Sequence, residues 1–356
     1  MGKYCFQFIC LGLLLALVGC KTTNQITFNS LEPAPVDLSN AIKKIGIINE
    51  TETLGKSEYR NQLDRIVSMK DQQLEKVGKD AAIHGLYGEL LKDKRFDTVL
   101  LLDNAPDLIK GAAAVPLEIP WPAIEKLCDR YAVDAIFSLA LYETDTRVTT
   151  KKSSMEELDL MRVKVKVPAH EVTLETLIEN GWKIYDPYNK KIIDEITFND
   201  QITASAKGSN PFRALEAIEN RKDSVLDRSR SKGSAYGLRL KPYNKKIQRN
   251  YYIKGTINFE KAEELVLEED WKGATILWLN EIKNPKPKIK AMACFNLAVL
   301  NEMQGNLPTA IEWAIQSDML HKNKTTTAYL EALKHRSTQN QLAEQQLASF
   351  AMLKMD

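Results

Sequence analysis

The residues able to do chemistry are few and far apart in this chain. Five cysteines stand at Cys5, Cys10, Cys20, Cys128 and Cys294, and four histidines at His84, His170, His321 and His335. No Cys-x-x-Cys pair occurs and the histidines are scattered, so the inventory offers no zinc site. Gly-x-Ser-x-Gly and His-Glu-x-x-His are absent, and Gly55-Lys56-Ser57 has Glu50 where a phosphate loop needs its first glycine. Carboxylates cluster at Glu263, Glu264, Glu268, Glu269 and Asp270, which reads as a solvated helix end. Asp134 and Asp186 stand singly near turns, and a lone acid is not an acid/base pair. The expectation is a protein that is not an enzyme, with no catalytic or metal residues and no cofactor. Trp271, Trp278 and Trp313, with Tyr251 and Tyr252, are the candidates for a partner-binding surface. The tryptophans equally suit core wedges, and that second reading is the favoured one.

Cys20 is different, because its neighbours give it a role. A start carrying Lys3 leads into an apolar run that ends at Leu17-Val18-Gly19-Cys20. The run is short for a membrane span, which needs roughly 20 apolar residues. Charged start, short apolar stretch and a small residue before a cut form the layout of a secretory signal. The end of the run resembles the lipobox of bacterial lipoproteins. That resemblance implies a signal over residues 1–19, diacylglycerol on the Cys20 thiol, and an acylated N-terminus at Cys20. Cys5 and Cys10 would leave with the signal. Cys128 and Cys294 lie in apolar helical patterns and suit buried free thiols.

The chain has 49 Lys+Arg against 47 Asp+Glu, a net +2. So even a balance gives no electrostatic case for nucleic acid. The length allows about two domains.

Residues 20–40, rich in Thr, Asn, Ser and Pro, read as a tether between lipid and domain. An α/β domain is expected over 41–208. Its first strand is Ile42–Asn49, followed by a helical stretch over about Glu58–Lys92 that Gly78, Gly85 and Gly88 should interrupt. A buried strand over Phe96–Leu102, a helix opened by Trp121-Pro122, and a strand over Ala132–Leu141 complete a β-α-β-α-β alternation. Lys151–Glu157 reads as a solvated loop. Met161–Val167 alternates apolar and charged residues, and two strand-like runs flank Asp186-Pro187-Tyr188-Asn189-Lys190, the mark of a hairpin.

Ala132-Val133-Asp134-Ala135-Ile136, with Trp182-Lys183-Ile184-Tyr185-Asp186 leading to Lys191-Ile192-Ile193, resembles the α/β domain of the TolB amino-terminal region and of curli-secretion lipoproteins. The hairpin departs from that pattern at Pro187-Tyr188-Asn189. The whole chain resembles outer-membrane lipoproteins of Bacteroidota that join such a domain to C-terminal tetratricopeptide-like repeats. The resemblance implies an envelope location and an architecture, not a chemistry.

Residues 209–254 read as a helical connector. Tyr236, Tyr243, Tyr251 and Tyr252 interleave there with cations such as Arg239, Lys241 and Arg249. Such a pattern can stack bases, but packing of the tyrosines onto the neighbouring domain is favoured. Over 255–356 the sequence repeats: Ala262 and Ala274 recur 36 residues on as Ala298 and Ala310. Tetratricopeptide units run about 34 residues and place small residues where paired helices approach. The fold class expected is therefore an α/β (or α+β) N-terminal domain with a mixed sheet, followed by an all-α tetratricopeptide-like tail.

Asp97-Thr98-Val99 and Asp223-Ser224-Val225 resemble the O-glycosylation signal of Bacteroidota exported proteins, and Ser224 is the better placed. The function expected is a non-catalytic binding or scaffold lipoprotein, on the periplasmic face of the outer membrane, with a protein partner, a membrane anchor and no nucleic acid. The alternatives are a periplasmic hydrolase of cell-wall or glycan substrates and a curli-like secretion subunit.

Overall fold

A computed structural model describes residues 21–51, 62–102, 119–158 and 161–352. The lipobox and Cys20 lie outside the described residues. The chain forms two compact units. One is α/β, built from Ala34–Lys241 together with Ala348–Asp356. The other joins residues up to Pro33 to Pro242–Leu347.

The α/β unit is built on five strands. These are β2 (Lys44–Asn49), β3 (Thr98–Leu101), β4 (Ala135–Leu158), β5 (Lys164–Asp186) and β6 (Lys191–Gly208), in the order β3-β2-β4-β5-β6. β2 pairs in parallel with β3 and with β4, while β4, β5 and β6 run antiparallel. The expected mixed sheet is therefore present, with its parallel part formed by the β-α-β-α-β alternation. Helix α1 (Gln62–Leu90) connects β2 to β3, and α2 (Trp121–Tyr131) connects β3 to β4. α2 starts with Pro122 in its first turn and ends on Ala132 in a left-handed conformation. Asp134 turns the chain into β4, its carboxylate accepting from the Lys43 and Lys44 amides at 2.8 Å. Asp186 does the same at the β5–β6 turn, accepting from the Asn189 amide at 3.1 Å.

α1 corrects one expectation, because its glycines do not break it. A Cβ on Gly85 would overlap the Arg230 carbonyl, and one on Gly233 the Ala82 carbonyl. The glycines let α1 and α4 (Arg221–Leu238) cross backbone to backbone. The intrahelical bonds survive and the propensity cost of roughly 1 kcal/mol each is met by the closer packing. The core beneath holds Trp182 stacked on Tyr236 at 5.3 Å, with Phe137 edge-on to the same ring. Short α3 (Pro211–Glu216) precedes α4.

A second correction concerns Lys151–Glu157, which is strand and not loop. Its partners run from Lys151↔Glu171 to Leu158↔Lys164. The charges misled because β6 stops at Gly208↔His170. Beyond that point β4 and β5 form a two-stranded ribbon, so charged side chains on it can reach water without leaving the ladder. On one face Met155 pairs with Val167; on the other Glu156 pairs with Lys166.

The second unit holds α5 (Ile257–Leu267), α6 (Trp271–Glu281), α7 (Pro287–Met303), α8 (Leu307–Leu320) and α9 (Lys324–Met352). The helices pair as two hairpins at the spacing of the sequence repeat. Ala262, Ala274, Ala298 and Ala310 are all fully buried, as close helix approach requires, and Gly305 turns with φ +80°. The tether and connector expectations are both corrected here. Thr23–Glu32 is strand β1 and pairs antiparallel with β7 (Tyr243–Tyr252) along its whole length. Thr, Asn and Ser read as linker, yet Ile26 and Phe28 supply the alternation that packs this ribbon on its helices. The Thr22 carbonyl also accepts from Ile253 N–H at 3.1 Å.

Candidate functional site

The α/β unit contains a cavity of about 450 Å³ between α1, β5 and the α3–α4 segment. Leu74 and Val77 of α1, Leu174 of β5, and Leu215 and Ile218 form an aliphatic floor and wall. They are positioned by a small core in which Leu174, Leu215 and Ala214 pack on Val67. Lys70 and Gln73 on α1, with Asn220 and Lys222, are the exposed members of the lining and form its rim. Among the described residues no carboxylate and no aromatic ring lines it.

Arg221 closes the inner end. It is buried, and its Nη2 donates to the Asp71 carboxylate, to Thr146 Oγ1 at 2.6 Å and to Thr176 Oγ1 at 3.0 Å; Nε also donates to Thr176. Thr146 and Thr176 face each other across β4 and β5. The guanidinium is thus a structural strut with its charge matched by Asp71. Asn220 before it has a left-handed conformation, and its side chain makes no capping bond to α4. This leaves α4 with an uncapped amino end at the rim, where the helix dipole favours negative charge.

A smaller recess of about 210 Å³ lies at the carboxyl ends of β2 and β3, lined by Asn49, Asp80 and His84 among aliphatic residues. Ligands of open α/β sheets bind at such switch points. The flanking segments 52–61 and 103–118 are outside the described residues. On the other face of the sheet Glu50 accepts from Ser138 at 2.7 Å and Tyr185 at 3.2 Å.

The residues singled out in the sequence do not gather into one site. Trp278 and Tyr251 are buried together in the core of the second unit, ring centroids 6.3 Å apart. Trp271, Trp313 and Tyr252 are half-buried against that core. All five serve first as packing. Ser224 is exposed on α4, whereas Thr98 is half-buried in β3. Three cations among the connector tyrosines are held in ion pairs: Arg239 with Asp194 at 2.9 Å, Lys241 with Glu89 at 3.0 Å, and Arg249 with Glu302 at 2.9 Å. Cys128 and Cys294 are free and buried, and burial pushes their thiols up to about 12 and about 11. Among the described residues no group of three or more His, Cys, Asp or Glu could hold a metal ion, and no helix is long and apolar enough to cross a membrane.

Comparison with known proteins places the chain. A family model described as a domain of unknown function, DUF8603, matches residues 42–252, more than half of the chain. The chain belongs to the DUF8603 family. The match takes in the whole five-stranded sheet, the cavity and β7. A second model, the domain of unknown function DUF6340, matches residues 260–335, the helical hairpins. No curated protein matches. Among solved structures, the PelC dodecamer from Paraburkholderia phytofirmans is 10% identical, with a TM-score of 0.23, covering 61% of this chain and 96% of its own. A neuraminyllactose-binding hemagglutinin homologue from Helicobacter pylori is 12% identical, with a TM-score of 0.25, covering 58% and 83%. Similarity this low says nothing about what the DUF8603 domain binds.

Sequence reasoning missed the cavity altogether. Its lining comes from three separate regions of the chain, around Leu74, Leu174 and Ile218, and no local spacing links them.

Proposed function

We propose that the protein is a lipid-anchored lipoprotein of the cell envelope that binds its ligand without transforming it. Anchoring is through Cys20, on the periplasmic face of the outer membrane, and rests on the Leu17-Val18-Gly19-Cys20 motif. The observation that carries the binding reading is the cavity lining. An aliphatic floor with cations and amides at its rim offers places to hold a molecule. It offers no nucleophile with an adjacent base and no facing carboxylates. The helical tail contributes a surface for a protein partner. Metabolic labelling with palmitate tests the anchor: the wild-type chain should label and sediment with outer membranes, whereas Cys20→Ala should stay in precursor form without label. A labelled Cys20→Ala variant would remove the anchor from the proposal.

A second reading, a subunit of a secretion assembly, is favoured by the two-stranded ribbon. In β5, Val165 and Val167 alternate with Lys164 and Lys166, the dyad pattern of a strand with one face in lipid, and Glu157 of β4 joins the valine face. Sizing of the detergent-extracted protein separates the two readings, since a monomer counts against assembly into a ring.

A further inference from the structure

We propose that the cavity of the α/β unit takes an amphiphile with one anionic head and an unbranched aliphatic chain. The inference deepens the binding reading above and rests on it. The volume, about 450 Å³, lies within the range of roughly 300–1,000 Å³ usual for small-molecule sites. The floor decides the body of the ligand. Leu74, Val77, Leu174, Leu215 and Ile218 are all aliphatic. Sites that read a flat ring present aromatic faces to it; a lining of branched aliphatic side chains alone suits a flexible chain that conforms to it.

The rim decides the head. Exposed Lys70 from α1 and exposed Lys222 from α4 both line the cavity, and buried Arg221 lines it as well. Asp71 neutralises Arg221, so the two lysines are the uncompensated charges of the lining, which among the described residues holds no carboxylate to offset them. The α4 amino end opens at the same rim without a side-chain cap, and Gln73 and Asn220 add neutral hydrogen-bonding groups. Cations therefore meet the head while the chain lies below, in the order a carboxylate or phosphate monoester on an alkyl chain requires. A zwitterionic or uncharged head would leave the lysines without a partner.

The test is photolabelling of the full chain in membranes with three probes sharing one diazirine-bearing twelve-carbon chain and ending in a carboxylate, a phosphate monoester or an alcohol. The carboxylate and phosphate arms distinguish a fatty acid from a phospholipid-type head. Labelling by at least one anion should saturate, map by mass spectrometry to peptides containing Leu74 or Ile218, and exceed that of the alcohol by more than tenfold. Lys70→Glu with Lys222→Glu, both exposed changes that leave the core intact, should lower anion labelling about tenfold and leave the alcohol unchanged. Ile218→Trp, which fills the cavity, should abolish labelling by all three. Equal labelling by the alcohol, labelling elsewhere in the chain, or labelling indifferent to both variants would overturn the proposal. Palmitate incorporation at Cys20 is read separately in the same membranes, so loss of the anchor and loss of the ligand are told apart.

Discussion

Glu302 shows what a single residue does in this molecule. Its side chain is fully buried, and both oxygens are used. Arg249 donates to both at 2.9 Å, Arg336 to Oε1 at 2.7 Å, and Tyr329 to Oε2 at 2.8 Å. Burial, and then the Glu302 charge, hold the Tyr329 phenol well above its usual range. One carboxylate thereby links β7, α7 and α9. Removing one partner of a buried ion pair strands the other charge, at a cost of about 3–5 kcal/mol. Glu302→Gln should lower stability by about that amount in denaturant titration, and a loss under ~1 kcal/mol would show that the arginines find other partners. Asp93 makes a similar pair with Arg95, at 2.7 Å and 3.0 Å. Burial works to raise its carboxyl, but the Arg95 bonds outweigh it and the net shift is downward. A depressed folded value stabilises above the unfolded value of about 4 and loses that contribution as pH falls through the folded one. The stability gap between wild type and Asp93→Asn should therefore be constant from pH 5 to 7 and shrink below pH 4. A gap that widens on acidification would contradict the shift.

At the scale of elements, the crossing of α1 and α4 is the most sharply determined contact. Gly85 and Gly233 each meet backbone of the other helix, whereas a Cβ on Gly88 would meet nothing within 4 Å. Gly88→Ala should stabilise by about 1 kcal/mol through helix propensity. Gly233→Ala on the same pair of helices should destabilise by several kcal/mol, since the obstacle is a carbonyl group and not a flexible side chain. Equal melting temperatures for the two variants would mean that the helices can separate without cost. β1 is the second informative element. The Ile253-to-Thr22 bond makes every second pair from Thr22 a hydrogen-bonded one, and Phe28 with Ile247 is among them, so a proline at Phe28 removes a ladder hydrogen-bond donor from the middle of β1. Phe28→Pro should expose β7 amides to hydrogen exchange while leaving those of the five-stranded sheet protected.

For the whole molecule the consequence lies in chain order. Apart from its C-terminal segment starting at Ala348, the α/β unit is inserted between Pro33 and Pro242 of the other unit. Its two ends meet, with Val36 N–H donating to the Arg239 carbonyl at 3.1 Å. A segment whose ends lie together and whose core is its own can fold when excised. A fragment spanning residues 34–241 should show near-ultraviolet dichroism and a single cooperative thermal transition. A fragment with strand content but no near-ultraviolet signal would show that the rest of the chain is needed to fix its packing.

Much of this was legible in the sequence, and the reason is local. The β-α-β-α-β alternation, the β5–β6 hairpin and the alanine repeat of the tail are written in periods of two, 3.6 and 36 residues, which need no knowledge of distant contacts. The tertiary structure decided what depends on partners far away. Thr23–Glu32 looks like a linker until β7, more than 200 residues later, supplies its hydrogen bonds. Gly78, Gly85 and Gly88 look like helix breaks until Tyr142 and α4 occupy the space of the first two. Leu74, Leu174, Leu215 and Ile218 look like ordinary core until the chain leaves a gap between them. The sequence by itself determined the β-α-β-α-β alternation, the β5–β6 hairpin and the paired helices of the tail, because these are set by neighbours along the chain. Only the tertiary structure decided which end segment joins which unit and where a ligand could sit, because pairing and cavity are properties of side chains brought together from three regions at once.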